Sequence, residues 1–204
     1  MAKLRFMMVV KIGGSLLPSM PKVMHVFMDY EVLLVPGGGV FANVVRKVYG
    51  RYQISEEAIH DMAVLATHQY GLFLSDISGI PTITSLEDFK ERAIILPMNI
   101  VANSDLKPSW NVTSDTIACY IARLAGEKKF IKLTDVDGVI LDGMVVKRIR
   151  AGKLLNTTTC VDKSLPSCLQ TWKMDCRVVN GKKENNIRKA LMGKSVGTLI
   201  TGGK

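Results

Sequence analysis

Two apolar runs of this chain end in consecutive glycines and pass straight into helical periodicity: Val9-Val10-Lys11-Ile12-Gly13-Gly14-Ser15 and Leu34-Val35-Pro36-Gly37-Gly38-Gly39. A short run that is apolar on both faces reads as a strand covered by helices on either side, the situation of a parallel sheet. The first run extends back to Phe6 and the second to Val32, and similar runs occupy Ile94 to Ile100, Phe130 to Leu133, Arg177 to Val179 and Thr198 to Ile200. Helical patterns fill the gaps at Pro21 to Asp29, Val40 to Tyr49, Ser55 to Tyr70, Leu86 to Glu91, Ser114 to Ala125, Asp162 to Thr171 and Glu184 to Met192. Strands alternating with helices predict an α/β fold, a three-layer α/β/α sandwich around a mainly parallel sheet. Asp142-Gly143, between two short apolar pairs, predicts a hairpin turn. Neither a repeat nor a linker breaks the 204 residues, so one domain is expected over 1–204.

A strand that ends in glycines and turns into a helix aims backbone N–H groups and a positive helix end at one point, which suits phosphate. Lys11 adds a mobile full charge at the end of the first such strand. In a parallel sheet the C-terminal strand ends share one edge, so Gly13-Gly14 and Gly37-Gly38-Gly39 are expected to face each other across a crevice. Ser109-Trp110-Asn111-Val112-Thr113-Ser114-Asp115-Thr116 opens a helix on the same edge. Capping accounts for one of its polar residues. Asp115, in the first turn, is placed to reach across and hold a lysine. Leu133-Thr134-Asp135-Val136-Asp137-Gly138 ends another strand in an acidic turn, which suits a nucleotide ribose, Mg²⁺ or an Asx-type turn. Lys163 starts a later helix and is a candidate to offset donor-phosphate charge.

Other classes fit less well. Lys and Arg outnumber Asp and Glu by 27 to 18, a net +9 that favours anionic ligands. The positive charges are scattered and aromatics make up only 6%, unlike a nucleic-acid surface with interleaved rings. Lys11 ends the N-terminal apolar run too early for a secretory signal, and no run reaches a membrane span, so a cytoplasmic location is expected. Cys119, Cys160, Cys168 and Cys176 lack CxxC spacing and read as reduced thiols. His25, His60 and His68 show no metal-ligand spacing, so no protein-bound metal site is expected. Gly37 to Ala42 fits G-x-G-x-x-A, but it follows the second strand, and the acidic residues about 20 positions on fall in a helix.

The ordered motifs Lys-Ile-Gly-Gly-Ser, Pro-Gly-Gly-Gly, Asn-Val-Thr-Ser-Asp, Leu-Thr-Asp-Val-Asp-Gly-Val and Val-Gly-Thr-Leu-Ile run from Val9 to Ile200, and together they resemble the amino acid kinase superfamily. The resemblance implies ATP with Mg²⁺, in-line transfer of the γ-phosphoryl, and a homodimer or higher oligomer. By position, it makes Lys11 the group that stabilises the transferring phosphoryl and Asp115 its orienter, with Lys163 as second lysine. Gly13, Gly14, Thr134, Asp135, Asp137 and Gly138 fall on the nucleotide side. Gly37, Gly38, Gly39 and Asn111 fall on the acceptor side. The Gly50-to-Ser55 stretch is too short for the family's usual hairpin lid. Within the superfamily, the compact length, Ser-Trp-Asn-Val-Thr-Ser-Asp and Val-Val-Asn-Gly most resemble the archaeal branch of methanofuran biosynthesis. Its acceptor is a small phosphorylated furan carrying an ammonium group, for which the resemblance makes Asp76 a candidate partner. Uridylate, isopentenyl phosphate or acyl-acid phosphorylation, and nucleotide or oxyanion binding without turnover, are the alternatives.

Overall fold

A computed structural model describes residues 7–203. Strand β1 (Met8–Ile12) leads through a 3-10 turn into α1 (Met20–Val26), and β2 (Val32–Pro36) leads into α2 (Gly39–Tyr49) and the long α3 (Glu56–Ser78). Then come β3 (Thr82–Ile83), β4 (Arg92–Ile95), α4 (Met98–Ala102), α5 (Ser114–Leu124) and β5 (Lys129–Thr134). The hairpin strands β6 (Ile140–Leu141) and β7 (Met144–Val145) precede β8 (Arg148–Arg150), α6 (Leu165–Trp172), β9 (Asp175–Asn180), α7 (Glu184–Leu191) and β10 (Thr198–Thr201).

The main sheet has the order β3-β4-β2-β1-β5-β9-β10-β8. Its pairings are parallel except β9 with β10. Alternation along the strands divides the core between the two faces. Val9, Leu33, Val35, Phe130 and Val178 pack toward α5 and α6. Val10, Ile12, Leu34, Ile131, Leu133 and Val179 pack toward α1, α7 and the Tyr70–Leu74 part of α3. This is the expected α/β/α sandwich. Strand β1 lies between β2 and β5, so the chain leaves it in opposite directions along the sheet. Crevices form at such reversals, beyond the strand C-termini.

Helix α3 has sharp ends for simple reasons. The Ser55 hydroxyl accepts from the Ala58 N–H at 3.2 Å, and Gly79 takes the left-handed conformation at φ +70°. The helix therefore runs on to Ser78, eight residues past the expected Tyr70. Three other boundaries also differ. The Ile94-to-Ile100 run is a strand only to Ile95, because Pro97 breaks it and α4 follows. Leu86 to Glu91 holds only a 3-10 turn, Leu86–Asp88. The helix expected from Asp162 begins at Leu165, with Pro166 in its first turn. The hairpin forms as expected, with Asp142 and Gly143 both at positive φ. Phe6, the expected start of the first apolar run, lies outside the described residues. All four cysteines are free. No helix among the described residues is long and apolar enough to cross a membrane.

Candidate active site

The two glycine turns meet. A methyl group added at Gly14 would lie 2.5 Å from the Gly39 Cα, so the backbones touch with no room for a side chain. Gly39 itself sits at φ +51°, where a β-carbon is strained, and Tyr70 packs beneath it. Within each cluster the glycines divide their work. The Gly13 N–H donates to the Leu133 carbonyl at 2.9 Å and the Gly37 N–H to the Ile12 carbonyl at 2.8 Å. Those two amides tie the turns to neighbouring strands and are spent. Gly13, Gly14, Gly38 and Gly39 line the crevice, whereas Gly37 does not.

The floor of the crevice is a charge cluster. Lys11 of β1 and Lys132 of β5 are register partners on adjacent parallel strands and share one face of the sheet. Both reach Asp115, in the first turn of α5: Lys11 Nζ lies 2.8 Å from Oδ1, and Lys132 Nζ donates to Oδ2 and to the Cys160 carbonyl. All three side chains are at least nine-tenths buried. Burial alone would raise the Asp115 pKa, but Lys11 and Lys132 outweigh it and hold the carboxyl far below its ordinary range. Burial, aided by repulsion from Lys132, pushes Lys11 down despite Asp115. For Lys132 burial also acts downward, yet Asp115 prevails and the ammonium is raised. One carboxylate is thus shared by two lysines at the floor of the crevice.

Asp162 completes this wall. Its carboxylate accepts from the Thr113 N–H and hydroxyl, the Thr116 N–H and hydroxyl, and the Leu165 N–H, at 2.7–3.1 Å. It thereby caps α5 and α6 together, satisfying helix-end amides that their own residues leave free. Its own N–H donates to Asp115 Oδ2 at 3.1 Å. Burial, then the nearby Asp115, raises its pKa.

Just beyond the C-terminal end of β5 the arrangement is open. Thr134 is buried and lines the crevice. Asp137 accepts from Lys183 Nζ at 2.8 Å and from the Asn180 amide at 2.9 Å, and Asp135 pairs with Lys182 at 3.8 Å. Gly138, at φ +155°, lies against Thr198.

Some expected residues are elsewhere. Lys163 is exposed and lines no part of the crevice; the second lysine beside Asp115 is Lys132. Asn111 is exposed in a turn closed by its N–H on the Ser109 hydroxyl, while its neighbours Ser109, Trp110 and Val112 line a cavity. Asp76 is exposed sixteen residues beyond His60 on α3, roughly 24 Å along the helix axis.

That cavity, of about 110 Å³, opens beside the main crevice and shares Gly38, Arg46, Thr113 and Ser114 with it. Arg46 stands at the junction, its guanidinium donating to the Asn43 side chain at 2.7 Å. Lys132, Asp162, Arg46 and His60 are site residues that sequence reasoning missed. A lysine inside the apolar run Phe130 to Leu133 was a readable signal. Asp162 offered none, because the α5 groups that donate to its carboxylate lie 46–49 residues away.

Known proteins bear on this geometry. The amino acid kinase family model matches residues 80–164. The (5-(aminomethyl)furan-3-yl)methyl phosphate kinase of Methanocaldococcus jannaschii is 33% identical over 96% of this chain and 98% of its own length. The isopentenyl phosphate kinase of the same organism is 35% identical over 84% of this chain and 81% of its own. Uridylate kinase from Archaeoglobus fulgidus shares the fold at TM-score 0.73 and 22% identity, covering 95% of this chain and 99% of that one. With these likenesses spanning nearly every element of the sheet, the chain belongs to the amino acid kinase family and is a phosphotransferase.

Proposed function

We propose that this kinase transfers the γ-phosphoryl of ATP to the phosphate of (5-(aminomethyl)furan-3-yl)methyl phosphate, giving the diphosphate, as a step of methanofuran synthesis. The observation that carries the reading is the pair Lys11 and Lys132, held by one buried carboxylate beneath two touching glycine turns. Phosphoryl transfer between two phosphates requires charge compensation and alignment rather than a nucleophilic side chain. ATP supplies the phosphoryl group and leaves as ADP. Gly14 and the positive start of the 3-10 turn after it hold the donor phosphates, with Thr134, Asp135 and Asp137 toward the nucleoside. Gly38, Gly39 and Arg46 hold the acceptor phosphate. Lys11, the less tightly held ammonium, follows the transferring group, Lys132 takes the second-lysine role, and Asp115 orients both.

An acceptor phosphate is already ionised at neutral pH, so no general base is required. Magnesium keeps most of its waters and binds through substrate phosphates, so it needs no protein cage. The choice of acceptor is supported by the similarity to the furan phosphate kinase over nearly the full length of both chains. Exposed Leu65 and Leu72, two turns apart on α3, support a homo-oligomer. The test is ADP release and product mass with Mg²⁺-ATP and a panel of the furan phosphate, UMP, isopentenyl phosphate and acetylglutamate. Diphosphate formation from the furan, abolished by Lys11→Ala, is expected. ATP binding without transfer to any acceptor would overturn the reading.

A further inference from the structure

We propose that the 110 Å³ cavity takes the non-phosphate end of the acceptor and that His60 reads it by accepting a hydrogen bond at Nε2. This limits acceptors to small phosphate esters that carry an N–H or O–H donor at the far end. The inference rests on the phosphate-kinase reading and extends it from reaction type to the residue that selects the acceptor.

His60 is 2% exposed and lines the cavity from the second turn of α3. Its Nδ1 lies 3.4 Å from the Ser109 carbonyl oxygen. A carbonyl can only accept, so Nδ1 donates there, and in that tautomer the lone pair of the ring lies at Nε2. That nitrogen is buried and has no partner among the described residues. A buried acceptor without a donor is costly, and a ligand that brings the donor removes the cost. Ala42, Ala63, Val64 and Ile117 of the walls are apolar, the Thr67 hydroxyl is spent on the Val64 carbonyl at 2.7 Å, and none of the polar lining groups is hydrogen-bonded to Nε2.

Size and placement narrow the ligand further. Because the cavity shares Gly38, Arg46, Thr113 and Ser114 with the crevice, a molecule with its phosphate at the Gly38–Gly39 turn extends its other end toward His60. An engineered apolar cavity of about 150 Å³ holds benzene. About 110 Å³ therefore suits a five-membered ring with one short substituent and is too small for a ribose bearing a base. An isopentenyl chain would fit by volume but would leave Nε2 bare. A ring with an aminomethyl group satisfies both conditions. Trp110, stacked on Tyr49 at 5.0 Å, adds an aromatic wall that tolerates the ammonium charge.

The test is a cycle of two ligands and three proteins. The ligands are (5-(aminomethyl)furan-3-yl)methyl phosphate and its analogue with methyl in place of aminomethyl; the proteins are wild type, His60→Leu and His60→Gln. Calorimetric binding and kcat/KM with Mg²⁺-ATP are both measured. Wild type is expected to prefer the amine at least tenfold. His60→Leu should erase that preference by weakening the amine alone, and His60→Gln, whose amide oxygen can accept, should restore part of it. Equal losses for both ligands, or a preference that survives His60→Leu, would overturn the role of His60. Efficient turnover of UMP would overturn the size limit while leaving the phosphate-kinase reading intact. Selective amine binding without turnover on any acceptor would do the reverse.

Discussion

The two ends of the site, the crevice floor and the turns beyond β5 and β9, are built from the same inventory, two lysines and two aspartates, and use it in opposite ways. Lys11, Lys132 and Asp115 are buried and Asp162 is half-buried, all four packed against strands and helix ends. Lys182, Lys183, Asp135 and Asp137 stand in solvent at the ends of β5 and β9. Buried charges are held only while every partner is present, since each has lost its hydration. Exposed pairs are screened and can part and re-form with little cost. In the proposed function the buried set fixes geometry where bonds change, and the exposed set exchanges its partners for those of an arriving nucleotide.

The strongest way to break this contrast is Asp115→Asn. It leaves two buried ammonium groups side by side with no carboxylate between them, at an expected cost of about 3–5 kcal/mol in denaturant unfolding. We expect kcat to fall by about 100-fold or more in whatever protein stays folded. The effect is pH-dependent. The folded-state pKa of Asp115 lies below its unfolded value of 3.8, so its stabilisation is fully present above that pH and is lost as the pH falls below it. The stability gap between wild type and Asp115→Asn should therefore narrow on acidification below pH 3.8, as urea titrations across pH would reveal.

Gly14→Ala comes next, because its methyl would meet the Gly39 Cα at 2.5 Å and force the two turns apart. A loss of about 1–3 kcal/mol is expected from overpacking. Misplacement of the reacting phosphates should lower kcat about 100-fold. A fully active Gly14→Ala enzyme would show that the contact does not set the reaction geometry. Asp162→Ala removes the shared cap of α5 and α6 and should cost about 1–2 kcal/mol for each helix end. Asp162→Asn should cost less, because it keeps one accepting oxygen and removes a carboxyl whose ionisation burial opposes. The smallest effect belongs to Lys183→Ala. Its thermal midpoint should match wild type while the KM for ATP rises; an equally destabilised variant would erase the distinction between the two ends.

How much of this was legible depended on the range of the interactions involved. The sandwich, the facing glycine turns and the pairing of Lys11 with Asp115 follow from local pattern plus the rule that parallel strands share an active edge. Lys132 sits inside an apolar strand and could have been read by the same logic. Lys163 drew attention through its place near an expected helix start, but that helix begins at Leu165 and leaves it in solvent. Asp162 and His60 could not be read locally. Each acquires its meaning from groups some fifty positions away, across loops whose path no short-range periodicity encodes.

The backbone contact between Gly14 and Gly39 acts as a gauge block. Because main chain, and no side chain, sets the spacing between the two proposed phosphate seats, mutation can recut the cavity around His60 without changing the distance between those turns. New acceptors could then be sampled in evolution, or by an engineer, one wall residue at a time, with the chemical step carried along unaltered.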